Sequence, residues 1–340
     1  MKNSGNSGSW SPWMKWTVLV LIGVLLIMLA FRGQDLDGIA MHLAGTNWVW
    51  IGFSLSMTLL GYLSRARRWQ LLVAATGHRV TWRDSFVSMM SGYLSNLGIP
   101  RAGEVGRCAA LQQLSGAPIF ALGGTVVAER AVDLVTFALL LGLTIGLAGG
   151  VAAEFVGEHL WKPLVAALGW KLWLLLGIGA VCLGMLYLFA FSGRVGEHAW
   201  VAWLRKAALG IWAGLVSAIR LERGPRLEFL LHTVVIWVVY YSAPYCTMAA
   251  LGLAHGGSWY IAFHVFVFGS LARTIPLPAG SAGAYHYIVM QLLMAFGYTE
   301  LEGLTVATLN HGVQTLFQLI IGALSVAAFV YLRSIRQPRE

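Results

Sequence analysis

Long apolar runs recur along the 340-residue sequence, and they restrict its fold more than any other feature. Only 11% of the residues are charged, against about 25% in a typical soluble domain. This composition excludes a soluble globular domain, a disordered chain and a disulfide scaffold. Because a membrane span needs about 20 mainly apolar residues, the sequence predicts an all-α polytopic membrane protein. Six full spans are predicted at 16–31, 47–63, 116–148, 171–192, 229–253 and 304–332.

The connecting segments differ in their content of Lys and Arg, and this bias predicts the orientation of the chain. The basic segments, assigned to the cytoplasmic side, are 1–15, 64–84, 193–228 and 333–340. The acidic segments, assigned to the external side, are 32–46, 149–171 and 298–303. Both termini are therefore predicted to be cytoplasmic, in a multi-pass protein of the cell (inner) membrane.

A single transmembrane domain is predicted over 16–332. It lies between a Ser/Gly-rich segment, 1–15, expected to be disordered, and a cytoplasmic tail at 333–340. Within a linker at about 194–228, apolar residues recur at helical spacing over 199–220 with basic residues nearby. This pattern predicts an amphipathic helix on the inner leaflet.

Two further apolar stretches, 85–115 and 259–297, are interrupted by Gly and Pro. The orientation requires each of them to enter and leave on one side, and each leg, at about 14 residues or roughly 21 Å of helix, is shorter than the roughly 30 Å membrane core. They are predicted to be re-entrant helical hairpins. Span, hairpin and span then occur twice with opposite orientation, which predicts inverted-topology repeats at about 45–150 and about 229–332. Such repeats with broken helices are typical of transporters.

Seven charged residues fall within the predicted membrane segments, where charges are costly and normally pair or face a polar path. They are Arg101, Glu104, Arg107, Glu129, Arg130, Asp133 and Arg273. Their net charge of +1 suits a ligand that bears a phosphate and does not suit a bare metal cation.

The spacing of these charges predicts which of them meet. Arg101, Glu104 and Arg107 follow Pro100 at intervals of three and can share one helical face. Glu129, Arg130 and Asp133 can likewise lie together, either at a binding site or as a structural ion pair near the cytoplasmic interface. The arginines are predicted to bind an anionic head group, with the acids orienting them or carrying a proton or an amine. Arg273 precedes the tip of the second hairpin, and snorkelling or helix capping is its alternative role.

Three arginines follow the second predicted span directly. Arg65, Arg67 and Arg68 are interpreted mainly as a positive-inside signal. Their alternative role is the collection of anionic lipid head groups.

No motif for nucleotide, metal or redox chemistry occurs, so no cofactor, no metal and no nucleic-acid partner are expected. Ser281, in the Gly-rich tip of the second hairpin, is a candidate substrate-binding residue. Its pairing with His286 or His311 would be the only sign of an intramembrane hydrolase. The lone histidines are expected to be satisfied by backbone carbonyls, and the protein is predicted not to be an enzyme.

Three motifs carry a resemblance to a known family. They are Arg65-Ala66-Arg67-Arg68-Trp69, Pro100-Arg101-Ala102-Gly103-Glu104-Val105-Gly106-Arg107 and Glu129-Arg130-Ala131-Val132-Asp133. In order and spacing they resemble the basic patch, P-R-x-G-E-x-x-R and E-R-x-x-D of the transmembrane flippase domain of lysylphosphatidylglycerol synthases (the multiple peptide resistance factor family), in its stand-alone version. The second hairpin tip differs, because Ala284, Tyr285 and His286 follow it where relatives tend to carry an acidic residue.

The resemblance implies that the protein moves a polar lipid between leaflets, with aminoacylated, other anionic and isoprenoid lipids as possible substrates. No aminoacyl-transferase domain is expected, since the sequence ends eight residues after the last predicted span. A lipid-synthesising enzyme encoded separately is an expected partner. The alternatives are a secondary transporter of a small soluble anion, an intramembrane enzyme and an accessory subunit.

Overall fold

The computed structural model describes residues 44–98, 102–147, 209–274 and 278–336, with isolated positions between 154 and 184. Every regular element within these residues is helical, which confirms the all-α prediction. The predicted span 16–31 lies outside the described residues, as does most of 171–192. The helices are α1 Trp48–Ala75, α2 Trp82–Gly98, α3 Ala102–Ser115, α4 Ile119–Leu147, α5 Ser217–Arg220, α6 Arg223–Ala250, α7 Ser258–Thr274, α8 Pro278–Ala295 and α9 Glu300–Arg336.

Local sequence sets several of these helix ends. The Asn47 side chain accepts a hydrogen bond from the Val49 amide at the start of α1. Thr299 and Glu302 cap α9 reciprocally, since the Glu302 carboxylate accepts from the Thr299 amide at 2.8 Å and the Thr299 hydroxyl accepts from the Glu302 amide at 3.2 Å. After α8, Gly297 adopts a φ of 90°, which L side chains rarely tolerate.

Two pairs of short helices are packed side by side, α2 with α3 and α7 with α8. These helices contain 17, 14, 17 and 18 residues, which corresponds to roughly 21–27 Å of helix each. In the first pair the backbones nearly touch, because a Cβ on Gly103 would overlap the carbonyl oxygen of Gly92. The predicted division of both interrupted stretches into two short helices is therefore confirmed.

A long helix, a short pair and a second long helix occur in that order twice, in residues 48–147 (the first unit) and 223–336 (the second unit). The last helix of each unit packs on the short pair of the other unit: α9 packs on α2, and α4 packs on α7. Their first helices, α1 and α6, pack on each other. Accordingly, Phe317 of α9 joins the core of the first unit and Leu141 of α4 joins that of the second.

Among the described helices, Arg223–Ala250 and Glu300–Arg336 are long and apolar enough to cross a membrane. The segment 64–84 was predicted to be a loop, and this prediction is wrong for its first part, because α1 continues to Ala75. The reason is that Arg65 and Arg68 are buried against neighbouring helices instead of facing solvent.

The structure describes residues 209–220 of the predicted amphipathic helix at 199–220. This part is helical at 209–215, turns at Val216 and continues as α5. Gly214 packs directly on Gly124 of α4, where a Cβ on either residue would overlap the other backbone. Ile219 is 75% exposed within the isolated chain. Gly124 and Gly214 thus allow this segment to approach α4 closely.

Candidate functional site

A charged cluster lies at the centre of the first unit, where α1, α3 and α4 meet beside α6. Its members are four arginines and three acids. They are Arg65, Arg68, Glu104, Arg107, Glu129, Arg130 and Asp133.

Glu129 of α4 is fully buried, with no exposed surface. Its Oε1 lies 3.3 Å from Arg65 Nη2 and 3.2 Å from Arg68 Nη2. Its Oε2 accepts from Arg107 Nη1 at 3.1 Å. One carboxylate thereby joins two helices to α4. Such a buried acid is compatible with folding only because several guanidiniums neutralise it.

Asp133, one turn further along α4, contacts Arg65 and Arg68 at 2.8 Å each and Arg130 at 3.5 Å. Glu104 of α3 bridges the remaining arginines, at 2.8 Å from Arg107 and 2.9 Å from Arg130. The seven residues therefore form one connected network.

Hydroxyl and aromatic groups complete the surroundings of the arginines. The Tyr93 hydroxyl of α2 accepts from Arg65 at 2.7 Å, and the Thr233 hydroxyl of α6 accepts from Arg68 at 3.3 Å. The guanidinium of Arg107 lies 4.9 Å from the centre of the Trp69 ring, a favourable cation–π distance. Residues of α1, α2 and α6 thus contact arginines of the cluster in addition to its own acids.

The cluster keeps an excess of one positive charge, since four arginines face three carboxylates. Arg68 and Arg107 are buried, whereas the Arg130 side chain is 42% exposed. The Nε atoms of Arg65, Arg68, Arg107 and Arg130 make no hydrogen bond within the described part of the chain. The site thus offers an accessible guanidinium backed by further donors, which suits an anion.

Five of the predicted site residues are brought together here: Glu104, Arg107, Glu129, Arg130 and Asp133. The predicted i, i+3 contacts Glu104–Arg107 and Arg130–Asp133 are both present. Glu129, Arg130 and Asp133 have partners on α1 and α3 in addition to the contact within α4. Arg101 lies outside the described residues, as does the side chain of Ser281, whose backbone is in the first turn of α8.

Arg65 and Arg68 belong to the cluster, although sequence reasoning assigned them to topology. The signal that could have found them is their spacing of three residues, which places both on one face of a helix. Arg67, between them, points elsewhere and pairs with Glu228 of α6 at 2.6 Å.

A second polar cluster surrounds Tyr285 of α8 in the second unit. The Arg273 guanidinium lies 4.2 Å from the centre of the Tyr285 ring, and the His311 and His286 rings lie at 5.5 and 6.0 Å. The Tyr285 hydroxyl accepts from the Asn310 amide at 2.5 Å. Arg273 is therefore placed with this cluster, whereas Arg107 and Arg130 belong to the charged cluster. His264 contacts the Tyr260 carbonyl at 2.8 Å, as expected for a lone histidine.

Polar side chains along one face of α9 connect the two clusters. Asn310, Gln314 and Gln318 recur every four residues in a mainly apolar helix. Gln314 accepts from Thr58 of α1 at 2.9 Å, and Gln318 donates to the backbone carbonyl of Tyr93 at 3.1 Å. Since Tyr93 also contacts Arg65, hydrogen-bonding groups extend from the second cluster to the charged one.

An all-helical membrane protein with a buried, net cationic site is the class that this fold and site define. The chain belongs to the family described as "Lysylphosphatidylglycerol synthase TM region", whose family model matches residues 16–322. That family is associated with lipid flipping and membrane transport. Comparison with curated proteins and with solved structures gives no match.

Proposed function

We propose that this protein moves a lipid with a polar, anionic or aminoacylated head group between the two leaflets of the cell (inner) membrane. The observation that carries the proposal is the net cationic cluster on α1, α3 and α4, in which Arg130 is accessible and Arg65, Arg68 and Arg107 are buried behind it. Family membership supports the same reaction class.

The cluster supports head-group binding for an electrostatic reason. The three carboxylates of the cluster neutralise three of its four arginines, so one positive charge remains. A lipid phosphate can neutralise this remaining charge. The acids keep the guanidinium groups oriented between binding events. An aminoacylated head group additionally places an amine where Glu104, 31% exposed, can contact it.

The arrangement in the membrane is part of this proposal. The two units act as inverted-topology repeats, the pairs α2–α3 and α7–α8 are re-entrant hairpins from opposite sides, and both termini are cytoplasmic. The lipid tail remains in the bilayer while the head group passes between the units. A separately encoded enzyme supplies the lipid, and no catalytic step is assigned to this chain.

A lipid-translocation assay in proteoliposomes tests the proposal. Fluorescent phosphatidylglycerol is incorporated into both leaflets, and a membrane-impermeant quencher reports the fraction that exchanges. Arg130→Gln is expected to reduce exchange at least tenfold, because it removes the accessible guanidinium and the excess charge.

The matched control is Arg67→Gln, which removes an arginine from the same surroundings but not from the cluster. Exchange equal to that of the wild type in both variants would contradict the site. Uptake of inorganic phosphate without lipid exchange would favour a transporter of small soluble anions instead.

A further inference from the structure

We propose that the lipid head group crosses between the two polar clusters along the contact of α1 with α9, which we call the α1–α9 seam. The side chains that define the seam are Ser54, Thr58, Asn310, Gln314 and Gln318. This inference rests on the proposed function, and it assigns the passage of the head group to side chains other than the arginines that bind it.

Two amide side chains of α9 form hydrogen-bonded steps at the end of the seam near Tyr285. Asn310 donates to the Tyr285 hydroxyl at 2.5 Å. One turn further along α9, Gln314 accepts from the Thr58 hydroxyl at 2.9 Å and donates to the Ser54 hydroxyl at 3.2 Å. The contacts therefore cross from the second unit to the first at Gln314.

Gln318 forms the third step and leads to the charged cluster. It donates to the backbone carbonyl of Tyr93 at 3.1 Å, and the Tyr93 hydroxyl accepts from Arg65 at 2.7 Å. The eight positions from Asn310 to Gln318 correspond to roughly 12 Å of helix, against a membrane core of roughly 30 Å. The three steps thus bridge a substantial part of the membrane between the two clusters.

Neutral groups line the seam, whereas an arginine stands at each of its ends. Neither residues 48–64 of α1 nor residues 303–332 of α9 contain Asp, Glu, Lys or Arg. The contacts lead to Arg65 at one end and to the exposed Arg273, beside Tyr285, at the other. A conducting pathway must bind its ligand strongly enough to admit it and weakly enough to release it. Amides and hydroxyls meet this requirement, because they donate to a phosphate less strongly than a guanidinium does.

Helix packing alone does not account for these side chains. Interhelical hydrogen bonds in membrane proteins contribute little to stability, because the same groups also find partners in the unfolded chain. Gln314 and Gln318 are also only partly buried in the isolated chain. Since polar side chains within membrane segments usually face a polar path, their repetition on one face of α9 indicates the direction of that path.

Lipid exchange in proteoliposomes tests the seam with the double variant Thr58→Val and Gln314→Met, which keeps the approximate size of both side chains. Exchange of fluorescent phosphatidylglycerol is expected to fall about tenfold, the effect of losing one hydrogen bond to a charged group. Binding of short-chain dioctanoyl phosphatidylglycerol to the purified full-length protein, measured by titration calorimetry, should equal that of the wild type because the arginines are intact.

Thr136→Val is the matched control, since the Thr136 hydroxyl donates to the Val132 carbonyl of its own helix at 2.9 Å. Its exchange should equal that of the wild type. Normal exchange in the double variant would overturn the inference while leaving the proposed function intact. A loss of binding together with exchange would do the same, because the substituted side chains would then support the head-group site. A wild-type protein that neither binds nor exchanges the lipid would overturn both.

A second measurement does not depend on a loss of activity. With Cys108, Cys182 and Cys246 replaced by Ala, Gln314→Cys should react several times faster with the anionic reagent 2-sulfonatoethyl methanethiosulfonate than Leu316→Cys. Leu316 is 54% exposed on an apolar surface of α9, and a thiol in apolar surroundings rarely ionises. Dioctanoyl phosphatidylglycerol should slow the reaction of Gln314→Cys. Equal rates at the two positions, or no effect of the lipid, would overturn the inference.

Discussion

Glu129 shows at the scale of a single residue how the charged cluster depends on mutual neutralisation. Its carboxylate has no contact with solvent and faces three arginines. Removing one partner of a buried ion pair leaves the remaining charges uncompensated, which strongly lowers the free energy of unfolding. The intact pair itself stabilises a protein little compared with apolar residues of similar volume. The cluster is therefore a poor source of net stability and a sensitive point for damage.

Glu129→Ala is expected to lower the free energy of unfolding by about 3–5 kcal/mol, because three guanidiniums lose a shared partner. Glu228→Ala removes the partly exposed partner of Arg67 and should cost at most about 1 kcal/mol. Unfolding in mixed detergent, followed by tryptophan fluorescence, measures both. Equal losses in the two variants would contradict the central role of Glu129.

The residues of the cluster could be predicted only where spacing along one helix decides the contact. Glu104 with Arg107 and Arg130 with Asp133 follow from the helical repeat. The contacts of Arg65 and Arg68 could not be predicted in this way, because a basic run after an apolar segment also satisfies the positive-inside rule. The choice between these roles depends on where α4 packs, which no local pattern encodes.

At the scale of elements, the close approach of α2 and α3 determines the geometry of the first pair. Gly92 and Gly103 allow the two backbones to touch, and the Asn96 side chain accepts from the Gly103 amide at 2.7 Å. This contact lies one turn before Arg107 and so fixes the position of that arginine relative to Glu129.

Gly103→Ala is expected to destabilise the protein by about 1–3 kcal/mol, because the added methyl overlaps backbone and cannot be relieved by rotation of a side chain. Gly106→Ala, on the same helix, meets its nearest atom at 3.7 Å and should have little effect. Thermal unfolding of both variants provides the comparison. A normal melting temperature for Gly103→Ala would show that the pair can open at this point.

The helix pairs could be anticipated from Gly and Pro interruptions combined with charge bias, whereas helix lengths could not. Apolarity marks where a helix can meet lipid, not where its hydrogen bonding stops. α1 therefore extends beyond its apolar part to Ala75, and α6 begins at Arg223, six residues before its predicted start.

At the scale of the whole molecule, each unit depends on the last helix of the other. α9 packs on α2 and α4 on α7, so neither pair is enclosed by its own unit alone. Arg336, at the end of α9, also makes two contacts with Asp84 of α2, at 3.0 and 3.2 Å. The two units are consequently expected to move relative to each other only as these contacts rearrange.

The opposite orientation proposed for the two units predicts that equivalent loops are accessible from opposite sides of the membrane. With the native cysteines replaced by Ala, Arg79→Cys lies between α1 and α2, and His255→Cys lies between α6 and α7. In sealed right-side-out vesicles a membrane-impermeant maleimide should label His255→Cys at once and Arg79→Cys only after lysis. Labelling of both from the same side would contradict inverted repeats.

The contact between α9 and α2 also affects how the protein is made. Ribosomes release α2 long before α9, since Arg336 lies 238 positions after Gly98. At 5–20 residues per second this interval lasts about 10–50 s. During that time α2 and α3 are in or beside the bilayer, and Asp84 cannot yet form its ion pair with Arg336. Biogenesis thus requires the nascent first unit to be shielded, by the insertion machinery or by lipid, until translation is almost complete.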